Sequence, residues 1–144
     1  DVFTSPSSLS LVAGSTYLIE GRLYFLKTTA GTILWTNTFS SAPTLFIGES
    51  AQTAITGMAA ATGATFTPLA VNYYAQGAAS VASAATGSLT TAVNHCIFFR
   101  FTVTTNLACN WRLRATQSAG TITPLAGSYY TITEVYPSTG TFVA

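Results

Sequence analysis

Apolar and polar residues alternate along most of this chain with the period of two that β-strands require. The clearest case is residues 16–27, where Glu20 and Arg22 fall on one face while Leu23 and Phe25 fall on the other. β-Branched and aromatic residues fill such stretches, and Gly, Pro, Ser and Asn separate them. Further strands are predicted at residues 32–39, 44–47, 65–74, 89–105, 111–116, 120–123 and 128–136.

Short strands at this spacing predict an all-β fold, specifically an antiparallel β-sandwich that is jelly-roll-like, rather than alternating βαβ units. We expect a single domain over residues 1–144, with residues 1–12 as an extended N-terminal arm. The alanine-rich residues 51–61 fit one or two helical turns. Residues 75–87 fit either a surface loop or a strand with very small side chains.

An internal echo links the first and last long strands. The sequence Ala13-Gly14-Ser15 precedes one of them, and Ala126-Gly127-Ser128 precedes the other. The echo predicts equivalent strand starts, each turned by its glycine. We expect these two strands to be neighbours in the sheet.

Residues 94–115 are predicted to form a hairpin whose outer face is polar. In that register Phe98 and Arg100 share a face with Arg112 and Arg114. The three arginines would form a small basic patch beside the phenylalanine. Such a patch either faces solvent or binds carboxylates of a partner, on another subunit or on a different protein.

The same hairpin register separates the two cysteines. Cys96 and Cys109 would point to opposite faces, farther apart than the Cα separation of about 7 Å that a disulfide spans. Two free, buried thiols are therefore predicted, as in a protein assembled in a reducing cytoplasm. His95 is expected at an edge or interface, and it cannot form a local nucleophile–base pair with Cys96, because adjacent strand residues point in opposite directions.

Charge is scarce: four acids and five bases make up 6% of the chain, against about 25% in ordinary soluble domains. A net charge of +1 is too small to predict a basic surface that would bind the phosphates of nucleic acid. Residues 51–71 are the nearest match to a membrane span, but their Thr, Gln and Pro content argues against insertion. A chain with so few ionic side chains is expected to cover its surface with other copies of itself.

Recognisable catalytic chemistry is missing from the sequence. One histidine, two separated cysteines and four scattered acids match no metal-ligand spacing, and neither a phosphate loop nor a nucleophile elbow occurs. We therefore expect no enzymatic activity, cofactor or metal. One alternative is polysaccharide cleavage, which would need Glu20 and Glu134 about 5–10 Å apart. A second alternative is glycan binding, with sugars stacked on exposed aromatic residues: Trp35, Tyr73, Tyr74, Tyr129 and Tyr130.

Three stretches carry a resemblance to known proteins: Ala13–Gly21, Phe98–Asn106 and Thr121–Val135. In its general residue pattern and strand order, the chain resembles the small Thr/Ala-rich β-domain structural proteins of tailed bacteriophages. The resemblance implies a homotrimeric sandwich on the virion surface, assembled in the bacterial host cytoplasm. Such proteins decorate and stabilise the capsid or form fibre modules, so the implied partners are sister copies and the major capsid protein or a fibre stalk. It implies no catalytic residue, and a receptor- or glycan-binding adhesin head of a tail fibre remains the alternative.

Overall fold

The computed structural model describes residues 9–55, 67–76, 79–82 and 94–136 of the chain. Within these ranges the secondary structure is entirely β, as the alternation predicts. The strands in chain order are β1 (Leu9–Leu11), β2 (Thr16–Lys27), β3 (Ile33–Phe39), β4 (Leu45–Ile55), β5 (Thr67–Gln76), β6 (Ser80–Ala82), β7 (Asn94–Thr104), β8 (Cys109–Gln117), β9 (Ile122–Pro124) and β10 (Tyr129–Val135).

The strands form two antiparallel sheets. Sheet I has the order β1-β8-β3-β6, and sheet II has the order β10-β2-β7-β4-β5, with β9 also paired to β2. The first strand therefore pairs with the eighth, the second with the seventh, the third with the sixth and the fourth with the fifth. This nesting is that of a long hairpin rolled into two layers, so the predicted jelly-roll-like sandwich is confirmed.

Aromatic side chains fill the space between the two sheets. Phe25 of sheet II meets Trp35 of sheet I edge to face, with ring centroids 5.5 Å apart. Phe99 of sheet II similarly lies 6.2 Å from Trp111 of sheet I. Each such ring contributes about 1.5–3 kcal/mol through removal of its apolar surface from water. This aromatic layer holds the two sheets together.

Both tryptophans in this layer have their indole N–H groups satisfied by buried amide side chains. Trp111 Nε1 donates to Asn37 Oδ1 at 3.0 Å within sheet I. Trp35 Nε1 donates to Gln52 Oε1 at 2.6 Å, which links the two sheets. Asn37 and Gln52 are themselves almost fully buried. These two buried amides thus provide the acceptors that the buried indole N–H groups need.

The predicted hairpin of residues 94–115 is wrong, although its two strands exist. β7 lies in sheet II between β2 and β4, whereas β8 lies in sheet I between β1 and β3. The short connection between them crosses from one layer to the other, a distance of roughly 10 Å between packed sheets. The alternation correctly predicts which residues of β7 and β8 face the core. The two inner faces, however, lie opposite each other across the core instead of side by side in one sheet.

Three smaller expectations are also resolved. Part of the predicted N-terminal arm, Leu9–Leu11, is a strand paired with β8, and residues 1–8 lie outside the described residues. The helical expectation fails for residues 51–55, which continue β4, while residues 56–61 are not described. The small side chains of Ser80–Ala82 form the edge strand β6 of sheet I, and residues 77–78 and 83–87 also lie outside the described part.

The internal echo marks two equivalent turns. Gly14 and Gly127 both have positive φ, 76° and 90°, the conformation that glycine adopts without strain. The strands that follow them, β2 and β10, pair with each other along seven residues. The expected adjacency of the first and last long strands is therefore confirmed.

We expect Asn37→Leu to lower the free energy of unfolding by about 1–3 kcal/mol, because the buried indole N–H of Trp111 loses its acceptor. Urea unfolding followed by tryptophan fluorescence measures the change. The control is Asn106→Leu, the same substitution at an exposed loop position, which should shift stability by less than about 0.5 kcal/mol. Equal effects of the two substitutions would contradict the structural role of the Asn37–Trp111 bond.

Candidate functional site

The outer face of sheet II is the most distinctive surface in the described part of the chain. Strand pairing aligns its outward side chains in rows that run across the sheet. Among the side chains that the structure describes, this face includes Leu18, Glu20, Arg22, Leu45, Ile47, Glu49, Phe98, Arg100, Thr102, Tyr129, Thr131 and Thr133. We call this set the sheet II face.

One row of the sheet II face consists of charged residues. Glu20, Arg100 and Glu49 lie directly opposite one another on β2, β7 and β4. Arg100 Nε is 3.6 Å from Glu20 Oε2, and both side chains are about half exposed or more. In water such a pair contributes only about 0–1 kcal/mol to stability. The pair therefore contributes little to holding the fold.

Arg22 stands two residues from Glu20 on the same strand face. Its guanidinium pKa is raised mainly by a side-chain hydrogen bond to Tyr24, with a smaller electrostatic contribution from that same hydroxyl. Arg22 therefore stays cationic at every physiological pH. With Glu20, Glu49 and Arg100, it brings the sheet II face to zero net charge.

Large apolar side chains flank the charged row. Leu45 and Ile47 of β4 are 38% and 46% exposed, and Phe98 and Tyr129 are 38% and 51% exposed. The strand predicted at residues 44–47 is apolar enough to suggest burial on both sides, which is wrong: of Leu45, Phe46 and Ile47, only Phe46 points inward. Glu49 could have indicated that this face is exposed, because it is charged and the period of two places it on the same face as Leu45 and Ile47.

The outer face of sheet I differs in chemistry. Thr36 and Thr38 of β3 lie opposite Arg114 and Arg112 of β8. The predicted basic patch of three arginines is therefore corrected: Arg112 and Arg114 lie on this face, whereas Arg100 and Phe98 lie on the opposite side of the sandwich. The patch divides because β7 and β8 belong to different sheets.

The aromatic candidates for sugar stacking do not form a group. Trp35 is 1% exposed within the core, and Tyr130 packs edge to face on Trp111 at 5.9 Å. Tyr129 alone among these three is exposed. Tyr73 and Tyr74 lie on β5, and their side chains are outside the described part. Burial of Trp35 and the packing of Tyr130 remove two of the five residues from the glycan interpretation.

The two glutamates considered for polysaccharide cleavage do not converge. Glu20 is aligned with Thr131 of β10, whereas Glu134 is aligned with Tyr17 of β2, three positions away. Three positions along a strand is an odd number, so the two carboxylates project to opposite faces. Glu20 approaches Arg100, and Glu134 Oε1 accepts a hydrogen bond from Ser15 Oγ at 2.6 Å.

His95 occupies the core rather than an edge or interface. It lies on the central strand β7, is fully buried, and stacks on Phe25 with ring centroids 5.3 Å apart. Among the residues that the structure describes, no three His, Cys, Asp or Glu side chains come together as metal ligands. No helix in the described ranges is long and apolar enough to cross a bilayer.

Lys27 is a buried charged residue that was not predicted from the sequence. Lys27, at the end of β2, is 2% exposed, and its Nζ donates hydrogen bonds to the carbonyl oxygens of Thr29 and Ala119. These bonds tie the turn after β2 to the turn after β8. The alternation of β2 was a usable signal, since position 27 has the parity of the buried Leu23 and Phe25. Its surroundings are backbone carbonyls, so the role of Lys27 is structural.

Comparison with known proteins provides no relative from which a role can be transferred. No protein-family model, no curated protein and no solved structure matches this chain.

Both cysteines are free and buried, in agreement with the sequence prediction. Burial raises the pKa of the Cys96 and Cys109 thiols, and for Cys96 the nearby Arg22 partly opposes this increase. We expect the native protein to react with a chromogenic disulfide reagent at pH 7.5 much more slowly than the unfolded chain, which should release two thiols. Fast reaction of both thiols in the native state would contradict their burial.

The raised thiol pKa values also determine how the stability of the fold changes with pH. Because the folded state favours the protonated thiols, their contribution to stability is complete below the unfolded pKa of about 8.5 and is lost as pH rises through the folded values.

We expect Lys27→Met to lower the free energy of unfolding by about 2–3 kcal/mol, because two partly buried carbonyls lose a charged donor. The matched control is Arg114→Met on the exposed face of sheet I, for which a change below about 0.5 kcal/mol is expected. Denaturant midpoints of the two variants give the comparison. A Lys27→Met protein as stable as the control would show that these bonds contribute nothing.

Proposed function

We propose that this chain is a non-enzymatic structural component of a bacteriophage virion. It would act as a homotrimeric β-sandwich that decorates and stabilises the capsid surface or serves as a fibre module. The observation that carries the proposal is the sheet II face, where Leu45, Ile47, Phe98 and Tyr129 are exposed on the same side of one sheet. Exposed apolar side chains grouped in this way mark protein–protein contacts.

The composition supports a role in assembly. The whole chain has nine charged residues, and four of them lie on the sheet II face, where they neutralise one another. Little charge is left to keep the remaining surface hydrated. The phage context rests on the resemblance of Ala13–Gly21, Phe98–Asn106 and Thr121–Val135 to small virion β-domains, together with the jelly-roll topology on which those stretches fall.

The two outer faces support a division of roles between partners. The sheet II face, with Phe98 and Arg100, is suited to contact sister copies. The outer face of sheet I carries Arg112 and Arg114 among threonines, a surface suited to carboxylates of another virion protein, because the guanidinium fork binds carboxylate in two-point geometry. This would place the particle on one side of the sandwich and the sister copies on the other.

Binding of a host receptor or glycan is the second candidate function. Tyr129 favours it, being half exposed beside Glu20 and Arg22 in a shallow groove that Thr131 also lines. Burial of Trp35 and packing of Tyr130 weigh against it. A glycan array probed with the purified protein distinguishes the two, since only the adhesin role requires selective binding.

We expect the purified chain to have a mass near 45 kDa by light scattering, three times 15.0 kDa. The measurement is made at micromolar concentration and repeated on dilution. Immunogold labelling of phage particles from the source of this sequence should mark the particle surface. A monomer at micromolar concentration, or particles without label, would overturn the proposal.

A further inference from the structure

The sheet II face has two halves of different chemistry. The β4 half presents Leu45 and Ile47 with the acid Glu49. The other half, on β10, β2 and β7, presents Tyr129 and Phe98 together with the base Arg22. One half is thus aliphatic and acidic, and the other is aromatic and basic. Interface cores are rich in aromatic residues and arginine, so the aromatic and basic half has the composition of a contact surface. The β4 half contributes exposed aliphatic side chains, which also mark contact sites when they are grouped.

The charges within one copy do not fully pair. Glu20 approaches Arg100 at 3.6 Å, whereas Glu49 and Arg22 form no ion pair with any residue in the described ranges. They stand on β4 and β2, two strands apart, which is roughly 10 Å at the usual strand spacing. Each copy therefore offers one acid on one half of the face and one base on the other.

We propose that a second copy of this chain docks on the sheet II face. The Arg22, Phe98 and Tyr129 half of the neighbouring copy covers the Leu45, Ile47 and Glu49 half of the first, so that Glu49 meets the neighbour's arginine. The inference rests on the proposed function, because it assigns the subunit contact of the same assembly. Charge complementarity between the two halves and the zero net charge of the face identify the occupant as the same chain.

Three-fold symmetry fits this arrangement. When three sheets turn the same face toward a common axis, one half of each face lies against one neighbour and the other half against the other neighbour. Such heterologous contacts close into a ring when the rotation per subunit is one third of a turn. Each of the three contacts then contains the same acid–base pair between aliphatic and aromatic surfaces.

The test is a charge exchange across the proposed contact. Glu49→Arg and Arg22→Glu each place like charges together at every contact, so each single variant should dissociate at concentrations at least ten-fold above those of the unchanged protein. The double variant restores opposite charges and should recover the multimer. Arg112→Glu is the control, since it makes the same reversal on the outer face of sheet I and should leave the mass unchanged.

A second variant and a folding check keep the test decisive. Ile47→Lys, at a half-exposed position of the same half, should also dissociate the assembly. Near-ultraviolet circular dichroism from the buried Trp35 and Trp111 reports whether each variant is folded.

The outcomes separate this inference from the proposed function. A monomeric unchanged protein overturns the proposed function. A multimer that withstands Glu49→Arg, Arg22→Glu and Ile47→Lys overturns the inference alone, and it assigns the sheet II face to another occupant, such as a capsid protein. Folded single variants that dissociate, with a double variant that stays dissociated, also overturn the proposed pairing.

Discussion

The aromatic layer between the two sheets is the interaction on which the rest of this structure depends. Phe25 against Trp35 and Phe99 against Trp111 join sheet II to sheet I, and buried amides satisfy both indoles. Because the inner faces take every second residue of each strand, the remaining residues must form the two outer faces. The chemistry of those outer faces is thus decided by the same alternation that builds the core.

Alternation made most of the strands predictable from the sequence. The predicted bounds of residues 16–27 coincide with those of β2, and the predicted strand at residues 128–136 contains β10. The partner of each strand was less predictable, because an apolar inner face is satisfied equally by a neighbour in the same sheet or by a strand across the core. The connection after β7 shows the difference: it is short enough for a hairpin, yet it crosses between layers.

The candidate site was predictable only in part for the same reason. Alternation correctly placed Phe98 and Arg100 on an outer face, but which residues share that face depends on strand partners. Glu49 and Glu20 join Arg100 only because β4 and β2 flank β7. The burial of Trp35 and Lys27 could have been predicted, because each lies an even number of positions from core-facing residues on its own strand. The predictions for exposed aromatic and charged residues did not use this spacing. The sugar-stacking role considered for Trp35 is excluded by its burial.

A neutral, partly paired row of charges has different consequences in water and under a neighbouring chain. In water the Glu20–Arg100 pair contributes little, because solvent screens it. Beneath a second subunit, each unpaired charge would lose its hydration, so a covering surface must supply the opposite charge or pay a penalty of several kcal/mol. The sheet II face carries two acids and two arginines. A partner that places opposite charges against them would cause a small desolvation cost, whereas a partner without such charges would cause a large one. In the proposed contact, these charges would act on the choice of partner and its register, while the exposed Ile47 and Phe98 around them would supply the attraction.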